Sequence, residues 1–145
     1  MSEKNKNGGL FMNYRKLIDI AAQARENAYA KYSGFMVGAA LLCEDGKVFT
    51  GCNIENLSYS LTNCAERTAI FKAVSKGNRK FKAIAVVGAP DGKKYDEDFC
   101  FPCGACLQVM SEFCDDDFEV ILCKEGNIKV FKFCELMPNV FSSEF

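Results

Sequence analysis

The stretch FKAIAVVGA, residues 81–89, constrains the fold of this chain more than any other segment. It is apolar at almost every position, which predicts a strand that is buried on both faces near the centre of a sheet. A strand of this kind needs a layer of helices on each side. The other segments should therefore supply strands beside it and helices above and below it.

Three segments show the apolar spacing of a helix. They are residues 13–31 with Asn13 as the N-cap, residues 63–77 ending at a glycine, and residues 102–113 with Pro102 in the first turn. Asparagine caps helices, glycine ends them and proline is accepted in their first turn, so each boundary carries a suitable residue.

Four further segments show the patterns of paired strands. Residues 35–43 and 47–54 flank an Asp-Gly pair, which favours a tight turn, and residues 118–123 and 128–133 flank a second polar turn. The complete order is α-β-β-α-β-α-β-β. It predicts an α/β fold with a mixed five-stranded sheet packed between layered helices.

The composition fits one globular domain, which we expect over residues 13–145 behind a flexible tail of residues 1–12. The chain has 145 residues, and its 18 basic and 19 acidic residues are interspersed, without the basic stripe of a nucleic-acid-binding protein. It shows no secretory segment and no run of about 18 apolar residues. We therefore predict a cytoplasmic protein with a small-molecule substrate and without nucleic-acid or membrane partners.

Cysteine is abundant in this sequence, whereas histidine does not occur. The chain has nine cysteines, an odd number, and without a secretory segment buried thiols or thiolate chemistry are favoured over disulfides. A transition-metal site must use cysteine, with carboxylate as the lesser option. Any general base must be Glu, Asp, Lys, Tyr or Cys.

Three cysteines fall at the N-termini of predicted helices: Cys64 on one helix, and Cys103 and Cys106 on another. The partial positive charge of a helix N-terminus favours thiolates. Three thiolates that converge leave the fourth tetrahedral position open, as in catalytic zinc sites. Glu66 lies two residues after the first cysteine and is a solvated carboxylate, a fourth ligand or a proton carrier.

Several alternatives remain at this point. Cys100 copies the ligand spacing but lies outside the predicted helix, and Cys103-Gly-Ala-Cys106 also fits a thioredoxin-like dithiol. The order of the helices and the lack of tryptophan argue against the thioredoxin-like fold. We interpret the other five cysteines as small buried side chains. They are Cys43, Cys52, Cys114, Cys123 and Cys134.

Four blocks together resemble the cytidine deaminases, and specifically their small homotetrameric class with an all-cysteine zinc site. The blocks are YSGFMVGAAL (32–41), GCNIENLSY (51–59) running into CAERTAI (64–70), PCGACLQVM (102–110) and ELMPNVF (135–141). The resemblance covers the chain from about residue 13 onward. It implies a deaminase of cytidine and 2′-deoxycytidine that acts in pyrimidine salvage.

The resemblance assigns roles at the reaction centre. Cys64, Cys103 and Cys106 would hold one Zn²⁺ per chain, and Glu66 would carry a proton from water to N3 of cytosine and assist the departing ammonia. Arg67 resembles the family arginine that donates hydrogen bonds to the ligand thiolates.

The resemblance also assigns contacts to the nucleoside. Asn53 and Glu55 resemble the pair that binds the sugar 3′-hydroxyl, and the Glu55 carboxylate would repel a 3′-phosphate. Phe35 and the backbone of Ala65 would lie near the base.

Two further aromatic residues would act across a subunit interface. Phe141 would lie over the pyrimidine of a neighbouring subunit, and Tyr59 would contribute to the same interface. Core packing within one chain is the alternative for both rings.

One position departs from the family pattern. Leu107 stands where most relatives have an arginine, so the charge balance of the metal site would rest on Arg67. Outside ordinary cytidine deamination, the alternatives are a deaminase of a cytosine-containing antibiotic, a thioredoxin-like oxidoreductase and a non-catalytic zinc module.

Overall fold

The computed structural model describes residues 3–4 and 10–141. Its main sheet has five strands in the order β4-β3-β5-β6-β7. They are β3 (Phe35–Cys43), β4 (Val48–Cys52), β5 (Phe81–Pro90), β6 (Glu119–Lys124) and β7 (Asn127–Lys132). Strand β5 pairs parallel with β6 and all other neighbours are antiparallel, so the predicted mixed sheet is confirmed, with residues 81–89 at its centre.

Within residues 3–4 and 10–141, four helices accompany the sheet. They are α1 (Tyr14–Arg25), α2 (Ala65–Ser75), α3 (Gly104–Phe113) and the short α4 (Phe133–Leu136), and a 3₁₀ turn covers Tyr59–Leu61. None of the helices in the described part of the chain is long and apolar enough to cross a membrane.

Strand β5 is buried on both faces because it lies between two apolar layers. On one face, Ile84 and Val86 pack in a cluster with residues of α2 and α3. On the other face, Ala83 and Ala85 pack with residues of α1. Since side chains alternate along a strand, an apolar residue is required at almost every position of this segment.

Helix α1 ends earlier than its sequence pattern predicts. The N-cap is Asn13, whose side chain accepts from the Lys16 N–H at 2.8 Å, as predicted. The C-terminal boundary at residue 31 is wrong, because the helix ends at Arg25. The Tyr29 N–H donates instead to the Asn53 oxygen at 2.9 Å, so a distant segment replaces the helical partner.

The other two helices begin later than predicted. Cys64 is the N-cap of α2, one residue after the predicted start, and Cys103 is the N-cap of α3. Pro102 therefore precedes α3 and does not lie in its first turn.

At the N-terminus, β1 (Glu3–Lys4) and β2 (Leu10–Phe11) form an antiparallel pair. The other residues of the predicted tail before position 10 lie outside the described residues, and its flexibility stays a prediction.

Candidate active site

The three cysteines singled out from the sequence meet where α2 and α3 begin. Their sulfur atoms all lie within 4.8 Å of one another. The Sγ atoms of Cys64 and Cys103 are 3.8 Å apart, and those of Cys103 and Cys106 are 3.6 Å apart. Within the described ranges, this is the one group of three or more side chains that could hold a metal ion.

Helix α2 is brought to this place by close packing on β4. A Cβ added at Gly51 would lie 2.3 Å from the Ala65 oxygen and 2.6 Å from the Ala69 N atom. Only glycine allows the helix backbone to approach the strand so closely. The approach fixes the N-terminal turn of α2, which carries Cys64 and Glu66.

Glu66 is buried beside the thiols. Its side chain lies in the first turn of α2, and the residue is only 4% exposed. Burial raises the pKa of its carboxyl to about 7, because a buried carboxylate loses its hydration. The solvated-carboxylate interpretation is therefore wrong. The group of converging metal-binding atoms does not include Glu66, which supports a proton carrier over a fourth ligand.

The charges around the thiols favour thiolate at Cys64. A hydrogen bond from the Cys106 thiol, together with Arg67, lowers the pKa of Cys64 to about 5. The Arg67 Nη2 atom donates to the Cys64 sulfur at 3.3 Å. The same bond and burial raise the pKa of Cys106. Among the described residues, the buried Nε of Arg67 has no hydrogen-bond partner.

The donor set fits zinc. Three sulfur donors are soft ligands, and a tetrahedral zinc ion held by three protein ligands keeps one position for water. Two helix N-termini and Arg67 supply positive potential for the thiolates. The residues present are therefore suited to Zn²⁺.

The remaining cysteines do not join this group. Cys100 is half-buried, and burial raises its pKa to about 12, as expected for an inert thiol. All nine cysteines are free, Cys43 and Cys123 are buried, and Cys52, Cys114 and Cys134 are half-buried.

Asn53 connects β4 to the beginning of β3. The residue is 8% exposed; its Oδ1 accepts from the Val37 N–H at 2.9 Å, and its Nδ2 donates to the Phe35 oxygen at 2.8 Å. The side-chain amide thus continues the ladder past the end of β4. Phe35 itself is 40% exposed.

Glu55 holds the loop that precedes Phe35. Its Oε1 accepts from the backbone N–H groups of Tyr32 and Ser33 at 2.9 and 3.0 Å, and its Oε2 accepts from the Ser33 hydroxyl at 2.5 Å. The Ser33 hydroxyl, with these backbone bonds, lowers the pKa of Glu55. The carboxylate lines a cavity of about 300 Å³ together with Tyr59.

The two aromatic residues assigned to an interface lie on the surface of the single chain. Tyr59 is 77% exposed and Phe141 is 76% exposed. Tyr59 contacts Tyr32 edge to face, with ring centroids 6.5 Å apart. Core packing within one chain is therefore wrong for both rings. Ala65, by contrast, is fully buried at the start of α2.

A family description, "Cytidine and deoxycytidylate deaminase zinc-binding region", matches residues 12–122 of this chain. The chain belongs to the cytidine deaminase family. It is therefore a deaminase of a zinc-binding family, and its thiol trio is a group of side chains that could hold the metal ion. The thioredoxin-like interpretation is wrong.

Individual relatives agree with the family assignment. A cytidine deaminase of Sporosarcina psychrophila is 52% identical over 134 residues, which cover 92% of this chain and 94% of the relative. A solved structure of cytidine deaminase from Burkholderia pseudomallei is 50% identical, with a TM-score of 0.81, and covers 90% of this chain and 100% of that chain. A blasticidin-S deaminase of Bacillus cereus is 33% identical over 127 residues, covering 85% and 88% of the two chains.

Sequence patterns missed several residues that shape this deaminase site. Ser33 and Gly51 act through contacts with Glu55 and Ala65 that are distant in sequence. The sequence pattern of α1 predicts that Arg25 is an ordinary exposed polar residue, whereas the structure buries it. One sequence signal could have identified Gly51: it is a glycine inside a predicted strand, and such a glycine often marks the close approach of another backbone.

Proposed function

We propose that this chain is a hydrolase that converts cytidine and 2′-deoxycytidine to the corresponding uridines, with one water consumed and one ammonia released. The observation that carries the proposal is the burial of Glu66 beside the trio of Cys64, Cys103 and Cys106. A proton carrier next to a three-sulfur metal site is what hydrolytic deamination requires.

The trio would hold one Zn²⁺ per chain. When bound, this ion lowers the pKa of a water molecule so that hydroxide is available near neutral pH. The protein contributes the soft ligands, the two helix N-termini and the guanidinium of Arg67, which donates to Cys64. These groups disperse the negative charge of the thiolates.

Glu66 moves the protons of the reaction. A carboxyl whose pKa is raised to about 7 by burial can both accept and release a proton near neutral pH. Its carboxylate takes a proton from the attacking water and delivers it to N3 of the cytosine ring. It then assists proton transfer to the amino group that leaves C4 as ammonia.

The nucleoside would bind against Phe35 and the Ala65 backbone, with its 3′-hydroxyl at Asn53 and Glu55. Asn53 uses one Nδ2 hydrogen and one oxygen lone pair on β3, so one hydrogen and one lone pair remain for a ligand. Glu55 retains acceptor capacity beside its bonds to Ser33. A 3′-phosphate would meet this carboxylate, which argues against polynucleotide substrates.

The active enzyme would be a homotetramer with active sites shared between subunits. Support comes from large apolar side chains exposed within residues 54–61, and from Phe141 near the end of the described chain. The exposed members of that segment are Ile54, Leu57, Tyr59 and Leu61. Large apolar side chains that are exposed together in one short segment are typical of a protein interface. Phe141 would then lie over the pyrimidine of a neighbouring subunit.

The cellular role would be pyrimidine salvage in the cytoplasm, without membrane or nucleic-acid partners. Ordinary cytosine nucleosides are favoured over an antibiotic, because the chain is 52% identical to a cytidine deaminase but 33% identical to a blasticidin-S deaminase. A non-catalytic zinc module is disfavoured because Glu66 is present and buried.

The test combines metal analysis with two activity readouts on the purified chain. We expect one zinc per chain, loss of the cytidine absorbance and stoichiometric release of ammonia. Glu66→Gln should keep its zinc and lose about 10³-fold or more in kcat. Cytidine, 2′-deoxycytidine, 3′-cytidine monophosphate and blasticidin S form the substrate panel. Zinc binding without ammonia release from any of them would establish the non-catalytic module.

A further inference from the structure

Arg25 is a buried arginine that binds backbone oxygens from three segments. It is the last residue of α1 and is 5% exposed. Its Nε donates to the Met36 oxygen at 3.0 Å. Its Nη2 lies 3.0 and 2.9 Å from the oxygens of Ala89 and Pro90, and 3.3 Å from that of Lys93. One guanidinium therefore joins the start of β3, the end of β5 and the loop after β5.

These oxygens are the main compensation for burying the charge. A buried guanidinium is costly unless hydrogen bonds replace its hydration. Its ion pair with Glu26 spans 3.6 Å, and the Glu26 side chain is 71% exposed, so the pair contributes little. The planar fork of arginine can reach several oxygens at once, whereas a lysine ammonium presents one point charge.

The backbone of Arg25 is held in place as firmly as its side chain. A Cβ added at Gly38 of β3 would lie 2.5 Å from the Arg25 N atom and 2.0 Å from the Ala21 oxygen. The end of α1 is therefore pressed onto β3. A helix end that cannot move away from the strand gives the guanidinium a fixed origin.

The segments that Arg25 joins determine where Phe35 lies. Phe35 directly precedes Met36, whose oxygen Arg25 binds. A Cβ added at Gly88 of β5 would lie 2.9 Å from Cε1 of the Phe35 ring, so the ring packs over the end of β5. Asn53, which directly follows β4 on the other side of β3, donates its Nδ2 hydrogen to the Phe35 oxygen. The ring position thus depends on how β3 and β5 are held together at this end.

We propose that Arg25 is a positioning residue for the nucleoside site. By fixing Met36 to the end of β5, it sets the Phe35 ring where the base binds. This inference rests on the proposed function, in which Phe35 packs near the substrate. Arg25 acts through the backbone and contacts no reacting atom.

The test compares Arg25→Met and Arg25→Lys with the parent enzyme, all loaded with zinc and assayed well below their Tm. We expect Arg25→Met to raise KM for cytidine about tenfold while kcat stays within about threefold, since ring placement affects binding more than proton transfer. Arg25→Lys should be intermediate, and every variant should hold one zinc per chain.

Arg15 provides a matched control on the same helix. It also donates to a backbone oxygen, that of Gly126 at 2.6 Å, but at an exposed site near the beginning of α1. Arg15→Met should keep the parental KM. If the substitutions only destabilise the fold, Arg25→Met and Arg15→Met should both have a lower Tm, and the selective rise in KM of Arg25→Met should not occur.

A double-mutant cycle with Phe35→Ala tests the route of the effect. If Arg25 acts through the ring, adding Arg25→Met to Phe35→Ala should change KM by less than about twofold. Additive effects, loss of zinc in both Arg25 variants, or a parental KM in both would overturn the inference. If Arg25→Met fails to fold, Arg25→Lys takes its place in the cycle. An inactive parent would instead overturn the proposed function.

Discussion

Gly51 and Ala65 are in backbone contact: a Cβ on Gly51 would stand 2.3 Å from the Ala65 oxygen. Gly51→Ala must therefore push the first turn of α2 away from β4, and with it Cys64 and Glu66. We expect an unfolding free energy lower by about 2 kcal/mol or more, in the range of overpacked cores, and weaker zinc retention. Urea unfolding and zinc loss to a chelator measure the two effects.

Gly104 gives the matched control for this substitution. It follows Cys103 of the trio directly, but a Cβ added there meets nothing within 4 Å. Gly104→Ala should keep its zinc, and its unfolding free energy should rise by up to about 1 kcal/mol, because alanine has a higher helix propensity than glycine. Equal zinc retention in the two glycine variants would show that the close approach at Gly51 does not position the site.

The raised pKa of Glu66 predicts that the unfolding free energy of the metal-free chain depends on pH, because the buried carboxylate destabilises the fold when it is ionised. Because its pKa rises from 4.5 to about 7 on folding, the stabilisation from Glu66 is complete below pH 4.5 and is lost as pH rises through 7. At 1.36 kcal/mol per unit, the loss is about 3 kcal/mol. With zinc removed by a chelator, the unfolding free energy of Glu66→Gln should therefore exceed that of the parent by about this amount at pH 9. The two unfolding free energies should be equal near pH 4. A pH-independent difference in urea midpoints would contradict the assignment.

Arg67 is expected to be unusually important because Leu107 replaces the second arginine. Three thiolates and Zn²⁺ sum to a negative site, at which water is harder to deprotonate. Arg67→Gln removes the bond to Cys64 and should raise the acid-limb pKa of kcat/KM by about one unit and weaken zinc retention.

The complementary substitution restores a charge. Leu107→Arg should lower the acid-limb pKa and partly rescue Arg67→Gln. Leu107 is half-buried against the core, so folding and zinc content of each variant must be checked beside its pH profile. A folded, zinc-loaded double variant without rescue would show that charge balance is not what the arginine supplies.

If active sites are shared between subunits as proposed, removal of Phe141 should weaken substrate binding without unfolding the chain. Truncation after Pro138 deletes an exposed ring that contributes little to the core of its own subunit. We expect normal zinc content, weaker assembly by light scattering, and KM raised about tenfold, since stacking of a base on an aromatic ring contributes about 1–3 kcal/mol. Phe141→Ala separates the ring from the segment. An unchanged tetramer with unchanged kinetics would remove Phe141 from the site.

The parts of this structure that depend on local patterns could be predicted, and the parts that depend on distant contacts could not. The apolar run around Ile84 required burial on two faces, which placed β5 at the centre. The convergence of Cys64 and Cys103 followed from their place at two helix N-termini.

The errors have the opposite cause. Helix α1 ends at Arg25 because the following backbone bonds to Asn53, a partner that helical periodicity cannot indicate. The burial of Glu66 could not be predicted from the sequence either, because a carboxylate in the first turn of a helix is ordinarily exposed. In both cases the deciding contact lies far away in the sequence.

The cysteine trio joins parts of the chain that are made at different times. Cys64 and Cys103 are 39 residues apart, and β5 lies between them in the sequence. An ion held by both sulfurs, as proposed, would close this loop, so its binding free energy would add to the folding free energy of the segment that contains β5. The donor set is incomplete until Cys106 has been synthesised. In the proposed function, zinc bound at the trio would therefore stabilise the folded chain against unfolding, beyond the role of the ion in catalysis.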